Sequence, residues 1–253
     1  MIKVCLLGCG AIGKTIAENS GKDYSIYAVY DRNLEKALSF EKFGAKVAKS
    51  FEEFERMCKN CDVAVEAASQ QAVRDCVKLL KYVDLVVMSS GALSDWELLE
   101  SLVKTAEKHG RKIYIPSGAI AGIDALKALK DYAKEVTLTT VKSPESLGVE
   151  VKERKVLFEG NALEAVKLFP ANVNVSATLS LACLGFERTK VRIVADPKVK
   201  ENIHEITAKG EFGEIFIRVK NRKHPTNPKT SYLAALSVIR LLKSLSEVLK
   251  VGT

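Results

Sequence analysis

Nowhere in the 253 residues does an apolar run approach the roughly 18 positions a membrane-crossing helix needs. The amino terminus has no basic stretch leading into an apolar segment and cleavage site, so a cytoplasmic protein is expected. No internal period repeats and no low-complexity linker interrupts the chain. Basic residues outnumber acidic ones, 39 to 31, for a net charge of +8. No basic cluster carries interleaved aromatics, however, and this argues against a nucleic-acid partner. Lysines stand beside glutamates along the helical stretches, as on an ion-paired, solvated surface with a mild pull on anionic ligands. Six cysteines include one close pair, Cys58-Lys-Asn-Cys61. No second pair and no nearby histidine completes a zinc site, so no metal is expected. Cys9 fits a small filler better than a nucleophile. Histidine is scarce, at three residues, which keeps the candidates for proton transfer few.

What is present begins at the first strand. Ile2 to Leu7 is short and mostly apolar, the pattern of a strand buried on both faces of a parallel sheet. Gly8, Gly10 and Gly13 follow in G-x-G-x-x-G spacing. Gly8 permits the tight turn out of the strand, Gly10 lets a pyrophosphate approach the backbone, and Gly13 lets the next helix pack close. That helix, Ala11 to Ser20, offers its N-terminal N–H groups to phosphate. A second strand, Tyr24 to Tyr30, ends at Asp31, where an acidic residue ~20 positions downstream meets the adenosine ribose hydroxyls. Asp31 favours NAD, while Arg32 beside it would accept the 2′-phosphate of NADP, so both cofactors stay open.

Strands continue to alternate with helices up to Lys112–Ile115, the arrangement of a doubly wound parallel sheet of Rossmann type. Ligands sit at the carboxyl ends of such strands. Here those ends carry Ser69, Ser89-Ser90-Gly91 and Ser117-Gly118, expected to face one crevice. Beyond about residue 118 the pattern changes. Glu135–Lys142 alternates and is β-branched, and Lys190–Ala195, Ile203–Lys209 and Gly213–Lys220 read as further strands interspersed with helices. This predicts a second, α+β domain on a mainly antiparallel sheet. Asn227-Pro-Lys-Thr-Ser231 is expected to open a long helix, Tyr232 to Val251, that returns to the first domain. The expected division is 1–117 plus 227–253 for the dinucleotide domain and 118–226 for the substrate and dimerisation domain.

A nucleotide domain with a second α+β domain implies an oxidoreductase. Among the histidines, His109 ends a surface helix and complements its dipole, and His224 sits in a basic loop and is expected to be solvated. His204 begins a strand of the second sheet, where a histidine with a pKa near working pH can act as acid or base. A structural role for it stays open at this level. Lys142, Arg188, Arg222 and Lys229 are the cations available for a dicarboxylate. Residue type does not choose among them, although Lys142, at a strand end, and Lys229, at an expected helix start, are the better placed.

Four segments then carry a resemblance: Gly8-Cys-Gly-Ala-Ile-Gly13, Ile115-Pro-Ser-Gly-Ala-Ile-Ala-Gly-Ile-Asp-Ala125, Phe169-Pro-Ala-Asn-Val-Asn-Val-Ser-Ala-Thr178, and Val194-Ala-Asp-Pro through Asn202-Ile-His-Glu-Ile206 to Asn227-Pro-Lys-Thr-Ser-Tyr232. Together they resemble the L-aspartate dehydrogenases over essentially the full length. The resemblance implies NAD(P)-dependent oxidation of L-aspartate to iminoaspartate, which hydrolyses to oxaloacetate and ammonia or feeds quinolinate formation. It implies a homodimer and makes His204 the catalytic histidine. Cofactor contacts would fall on Ala11, Ile12, Ala121 and Asn174 besides the three glycines, Asp31 and Arg32, and substrate contacts on Lys142, Asn202 and Lys229. The family's basic, proline-rich stretch reads Val141-Lys-Ser-Pro-Glu-Ser146 here, with Glu145 an unexpected neighbour for a carboxylate site. Two rivals remain open: a two-domain reductase of the homoserine dehydrogenase or dihydrodipicolinate reductase kind, and a cofactor-binding regulator without turnover.

Overall fold

A computed structural model describes residues 1–170 and 173–251, leaving aside the side chains at 228 and 229. It divides into two compact units, Met1–Pro116 with Ala235–Val251, and Ser117–Ala234.

The first unit is a six-stranded sheet of order β3-β2-β1-β4-β5-β6, in which every pairing is parallel. Its elements are β1 (Ile2–Leu7), α1 (Ala11–Glu18), β2 (Tyr24–Tyr30), α2 (Leu34–Leu38), β3 (Lys46–Val47), α3 (Phe51–Cys58), β4 (Val63–Glu66), α4 (Gln70–Cys76), β5 (Asp84–Val87), α5 (Trp96–His109) and β6 (Ile113–Tyr114). Val4, Leu6, Val29, Val65, Leu85 and Val87 are wholly buried, as strands sandwiched between helices require. Helix starts follow their caps: the side chains of Asn33, Ser50, Ser69 and Asp95 each accept an N–H from the first turn. α2 ends at Leu38, and a 3-10 turn, Glu41–Phe43, follows and ends on Gly44 in the left-handed region. α5 ends on Gly110 at φ 63°, as its sequence predicts.

The second unit is built on a five-stranded sheet of order β11-β10-β7-β9-β8. Here α6 is Ile123–Ala128, β7 Ala133–Lys142, α7 Pro144–Leu147, β8 Lys155–Asn161, α8 Ala162–Leu168, α9 Asn174–Ala182, β9 Thr189–Ala195, β10 Asn202–Gly210 and β11 Gly213–Asn221. Only the β7–β9 pairing is parallel; β10 runs antiparallel to both β7 and β11, and β8 antiparallel to β9. Leu138, Ile206, Leu126 and Leu179 form one core cluster, and Val191, Ile193, Ala162 and Val166 another. Residues on the opposite face pair their charges, among them Glu135 with Lys190 at 3.0 Å and Glu205 with Arg218 at 3.1 Å.

The helix begins at Tyr232 as expected, but the Asn227–Ser231 lead-in is a strand, β13 (Asn227–Ser231), antiparallel to β12 (Lys223–His224). The strand satisfies backbone groups that a helix start would have left open, and the Tyr232 N–H donates to the Arg222 carbonyl at 2.9 Å. The helix after it, α10 (Tyr232–Ser244), is also shorter than expected. The Ser244 hydroxyl donates back to the Leu241 carbonyl, and Val248 and Val251 are almost fully exposed, so no apolar face remains to prolong the helix.

Candidate active site

In the first unit the glycines do what their spacing predicts. Gly8 sits at φ 105°, where a Cβ would press on the Ala67 carbonyl at 2.6 Å. A Cβ on Gly13 would collide with the Gly8 carbonyl oxygen, so the strand–helix approach demands glycine. A Cβ on Gly10 would meet nothing within 4 Å. Gly10 also caps α1 without any side-chain hydrogen bond, and the first turn holds no acidic residue, which suits the helix N-terminus to a phosphate. Ala11 and Ile12, half-buried, open that turn.

Asp31 is pinned on both carboxylate oxygens. The Cys9 N–H donates to Oδ2 at 2.7 Å and the Asn33 N–H to Oδ1 at 2.9 Å. The end of β2 is thereby tied to the glycine loop, with lone pairs left for ribose hydroxyls. A cavity of about 300 Å³ opens between them, lined by Gly8, Gly10, Asp31, Arg32, Lys36 and Ser69 among others. This open cradle of glycine, helix N-terminus and carboxylate fits a dinucleotide. Burial, then Asp31, pushes the Cys9 thiol up to about 12, which disfavours the thiolate. Among the described residues no group of His, Cys, Asp and Glu could hold a metal ion.

Within the first unit the expected serine ends differ. Ser69 lines the cavity, but Ser89 turns inward, its hydroxyl donating to Glu66 Oε1 at 2.9 Å. Ser117 and Gly118 fall in the second unit. Glu66, at the end of β4, is a buried carboxylate that the sequence gives no reason to single out. It also accepts the N–H groups of Ala68, Ser69 and Ser89 at 2.8–2.9 Å. Burial pushes its carboxyl up against the pull of those four hydrogen bonds. Glu66 thus fixes the backbone at the ends of β4 and β5, where Ala67, Ala68 and Ser69 line the cavity.

In the second unit the sheet face that carries Leu138 and Ile206 turns polar at one end. By strand alternation Thr140 and Lys142 continue that face on β7, and His204 and Asn202 continue it on β10. His204 pairs with Thr140 across the ladder, and the Thr140 hydroxyl lies 3.0 Å from His204 Nδ1. When Nδ1–H donates to Thr140, Nε2 is left as the acceptor. His204 is 1% exposed, and its pKa does not stay near working pH. Burial, then the charge of Lys142, pushes it down to about 3. Lys142, 5% exposed, is lowered to about 8 by burial and then by Lys223. The repulsion marks His204 but not Lys142, because the imidazole is already neutral over the range in which the lysine titrates.

Asn202 is wholly buried. Its Nδ2 donates to Ser231 Oγ at 3.2 Å, while Oδ1 has no hydrogen-bond partner among the described residues. A buried amide oxygen left open beside a buried histidine and lysine suits a ligand N–H. Lys223, on β12, reaches Ser143 Oγ at 2.9 Å, and that oxygen lies 3.0 Å from Ser146 Oγ. No sequence signal set Lys223 apart from its basic neighbours in Asn221-Arg-Lys-His224.

The remaining candidates scatter. Arg188 and Arg222 are exposed, and the Lys229 side chain lies outside the described residues. Ala121 is exposed in the loop before α6, and Asn174 is the exposed first residue of α9, both in the second unit. His224 corrects its expectation: it is 5% exposed, its ring Nδ1 takes the Thr226 N–H at 3.2 Å, and it packs edge-on against Tyr232. The pairing of β12 with β13 buries what a loop would have left in water.

Such a dinucleotide cradle, with a second sheet holding a buried histidine among cations, defines the class of nicotinamide-dependent dehydrogenases. Residues 8–116 match the family described as homoserine dehydrogenase, NAD binding domain, and residues 124–245 match aspartate dehydrogenase, C-terminal. The chain is 45% identical over 271 residues to an L-aspartate dehydrogenase of Methanococcoides burtonii, with both chains covered in full. It is 47% identical to that of Archaeoglobus fulgidus, over 98% of this chain and 99% of the relative. The crystal structure of aspartate dehydrogenase from Thermotoga maritima superposes with a TM-score of 0.85 at 32% identity, covering both chains in full. The chain belongs to the L-aspartate dehydrogenase family.

Proposed function

We propose that the protein oxidises L-aspartate to iminoaspartate with NAD(P)⁺ and that His204 is its catalytic histidine. Membership of the family carries the activity. The observation that carries the site is the polar end of the second sheet, where His204, Lys142 and the open Oδ1 of Asn202 lie together on one face.

Gly8, Gly10 and Gly13, with the first turn of α1, would hold the pyrophosphate, and Asp31 the adenosine ribose. Arg32 would meet the 2′-phosphate when NADP is used. Ala121 and Asn174 would complete the cofactor contacts. When bound, the nicotinamide accepts the hydride released as the Cα–H bond breaks. The substrate ammonium first gives up a proton, which frees the nitrogen lone pair that forms the C=N bond as the hydride leaves. Asn202 Oδ1 accepts an N–H of the amino group and orients its lone pair. His204 Nε2 takes the departing proton, with Thr140 holding the ring. Lys142 would bind one carboxylate, and Lys229 is a candidate that the family resemblance offers beside it. A bound dianion offsets the charge of Lys142, and His204 rises from about 3 toward the range where it exchanges protons readily.

The resemblance further supports a cytoplasmic homodimer that passes iminoaspartate to oxaloacetate and ammonia or to quinolinate formation, a role in pyridine nucleotide biosynthesis. Light scattering on a sizing column tests the dimer by reporting one or two chain masses. The activity is tested by following nicotinamide reduction with L-aspartate, L-glutamate, L-homoserine and D-aspartate. Reduction with L-aspartate alone is expected. Reduction with L-homoserine alone would favour the rival dehydrogenase, and binding of NAD without reduction by any substrate would favour the regulator.

A further inference from the structure

Two ammonium groups share the polar end of the second sheet. Lys142 is buried, and Lys223, with 22% of its side chain exposed, touches the Ser143 hydroxyl that follows Lys142 in the chain. The charge of Lys223, after burial, helps hold the pKa of Lys142 down. Like charges gathered out of water raise the energy of the empty site and lower that of an anion-filled one. Among the described residues the carboxylate paired with Lys223 is Glu145, at 3.6 Å on α7. Its side chain is 78% exposed, so this pair is a loose one that another carboxylate can replace. The presence of Glu145 in a carboxylate-binding loop, odd in the sequence, then has a role.

We propose that Lys223 is the specificity-determining residue that takes one of the two carboxylates of a dicarboxylic amino acid, and that Glu145 occupies it until the substrate arrives. The inference rests on the reading of this site as that of an L-aspartate dehydrogenase. Lys142 binds the other carboxylate, and the Ser143 hydroxyl, set by Ser146, holds the Lys223 ammonium in place. A monocarboxylic amino acid has no second carboxylate to replace Glu145 on Lys223, forgoes that interaction and is disfavoured by that amount.

The test is steady-state kinetics of the full-length enzyme at saturating NAD⁺, with L-aspartate and L-alanine as substrates. Lys223→Met should raise KM for L-aspartate about tenfold or more, the worth of one charge-assisted hydrogen bond, with kcat and the KM for NAD⁺ much less changed. Its preference for L-aspartate over L-alanine should fall by a similar factor. Lys223→Arg should restore most of the affinity. Glu145→Gln should lower KM for L-aspartate about twofold, since an exposed competing carboxylate is worth little. An unchanged KM and unchanged preference in Lys223→Met would overturn the proposal while the wild-type activity stands. Should Lys223→Met fail to fold, Glu145→Gln decides: an unchanged or raised KM overturns the proposal. A wild-type protein that does not oxidise L-aspartate fails at the underlying activity instead, and the specificity proposal falls with it.

Discussion

At Lys142 the proposed function and the stability of the fold pull in opposite directions. Its pKa falls from 10.5 to about 8 on folding, which corresponds to about 3 kcal/mol spent on keeping the charge buried. The unfolded chain binds the proton more tightly between those two values. That cost is therefore fully present below about 8 and is relieved as pH rises toward 10.5. Lys142→Met should accordingly raise the melting temperature of the ligand-free protein at neutral pH and lose that advantage near pH 10.5, as followed by calorimetry. The same substitution should weaken binding of succinate, an unreactive dicarboxylate. In the wild type succinate inhibition should weaken as pH climbs past about 8, as Lys142 loses its charge; Lys223 and the neutral His204 face it throughout. Succinate inhibition flat across that range would remove Lys142 from the site. For His204→Ala we expect turnover to fall on the order of 10²–10⁴-fold with the affinity for NAD⁺ unchanged, measured by titration calorimetry. Near-normal turnover would end its assignment.

At the scale of elements, the glycine loop and Glu66 shape the cofactor side. Gly13→Ala forces its new methyl group against the Gly8 carbonyl, so it should weaken NAD⁺ binding and lower the melting temperature together. Gly10→Ala has open space for its methyl and should weaken NAD⁺ binding alone. Equal melting temperatures for the two variants would contradict this account of the strand–helix approach. The glycines, Asp31 and the strand–helix alternation were legible in the sequence because each follows a local rule of spacing or periodicity. Glu66 was not, because its four donors come from two chain segments that only the parallel pairing of β4 and β5 brings together. The same reason hid the strand character of Asn227–Ser231 and the burial of His224, since β12 and β13 define each other and neither has a long apolar pattern of its own. His204 could be chosen from the sequence, but its depressed pKa could not. Alternation on β10 says which way the ring points, and only the neighbouring β7 says that a lysine lies beside it.

Across the whole molecule, each of the two compact units carries one half of the chemistry. One is a six-stranded parallel sheet with a dinucleotide cradle at its strand ends, and the other a mixed sheet with the proposed amino-acid site at the end of its core face. Among the described residues no helix is long and apolar enough to cross a membrane. In the proposed reaction hydrogen leaves Cα of L-aspartate as hydride, and L-aspartate deuterated at Cα reports where it goes. Mass spectrometry of the reduced nicotinamide should find one deuterium per molecule formed, with turnover slowed if the transfer limits the rate. Reduced nicotinamide without deuterium, or none formed while NAD⁺ demonstrably binds, would contradict the account.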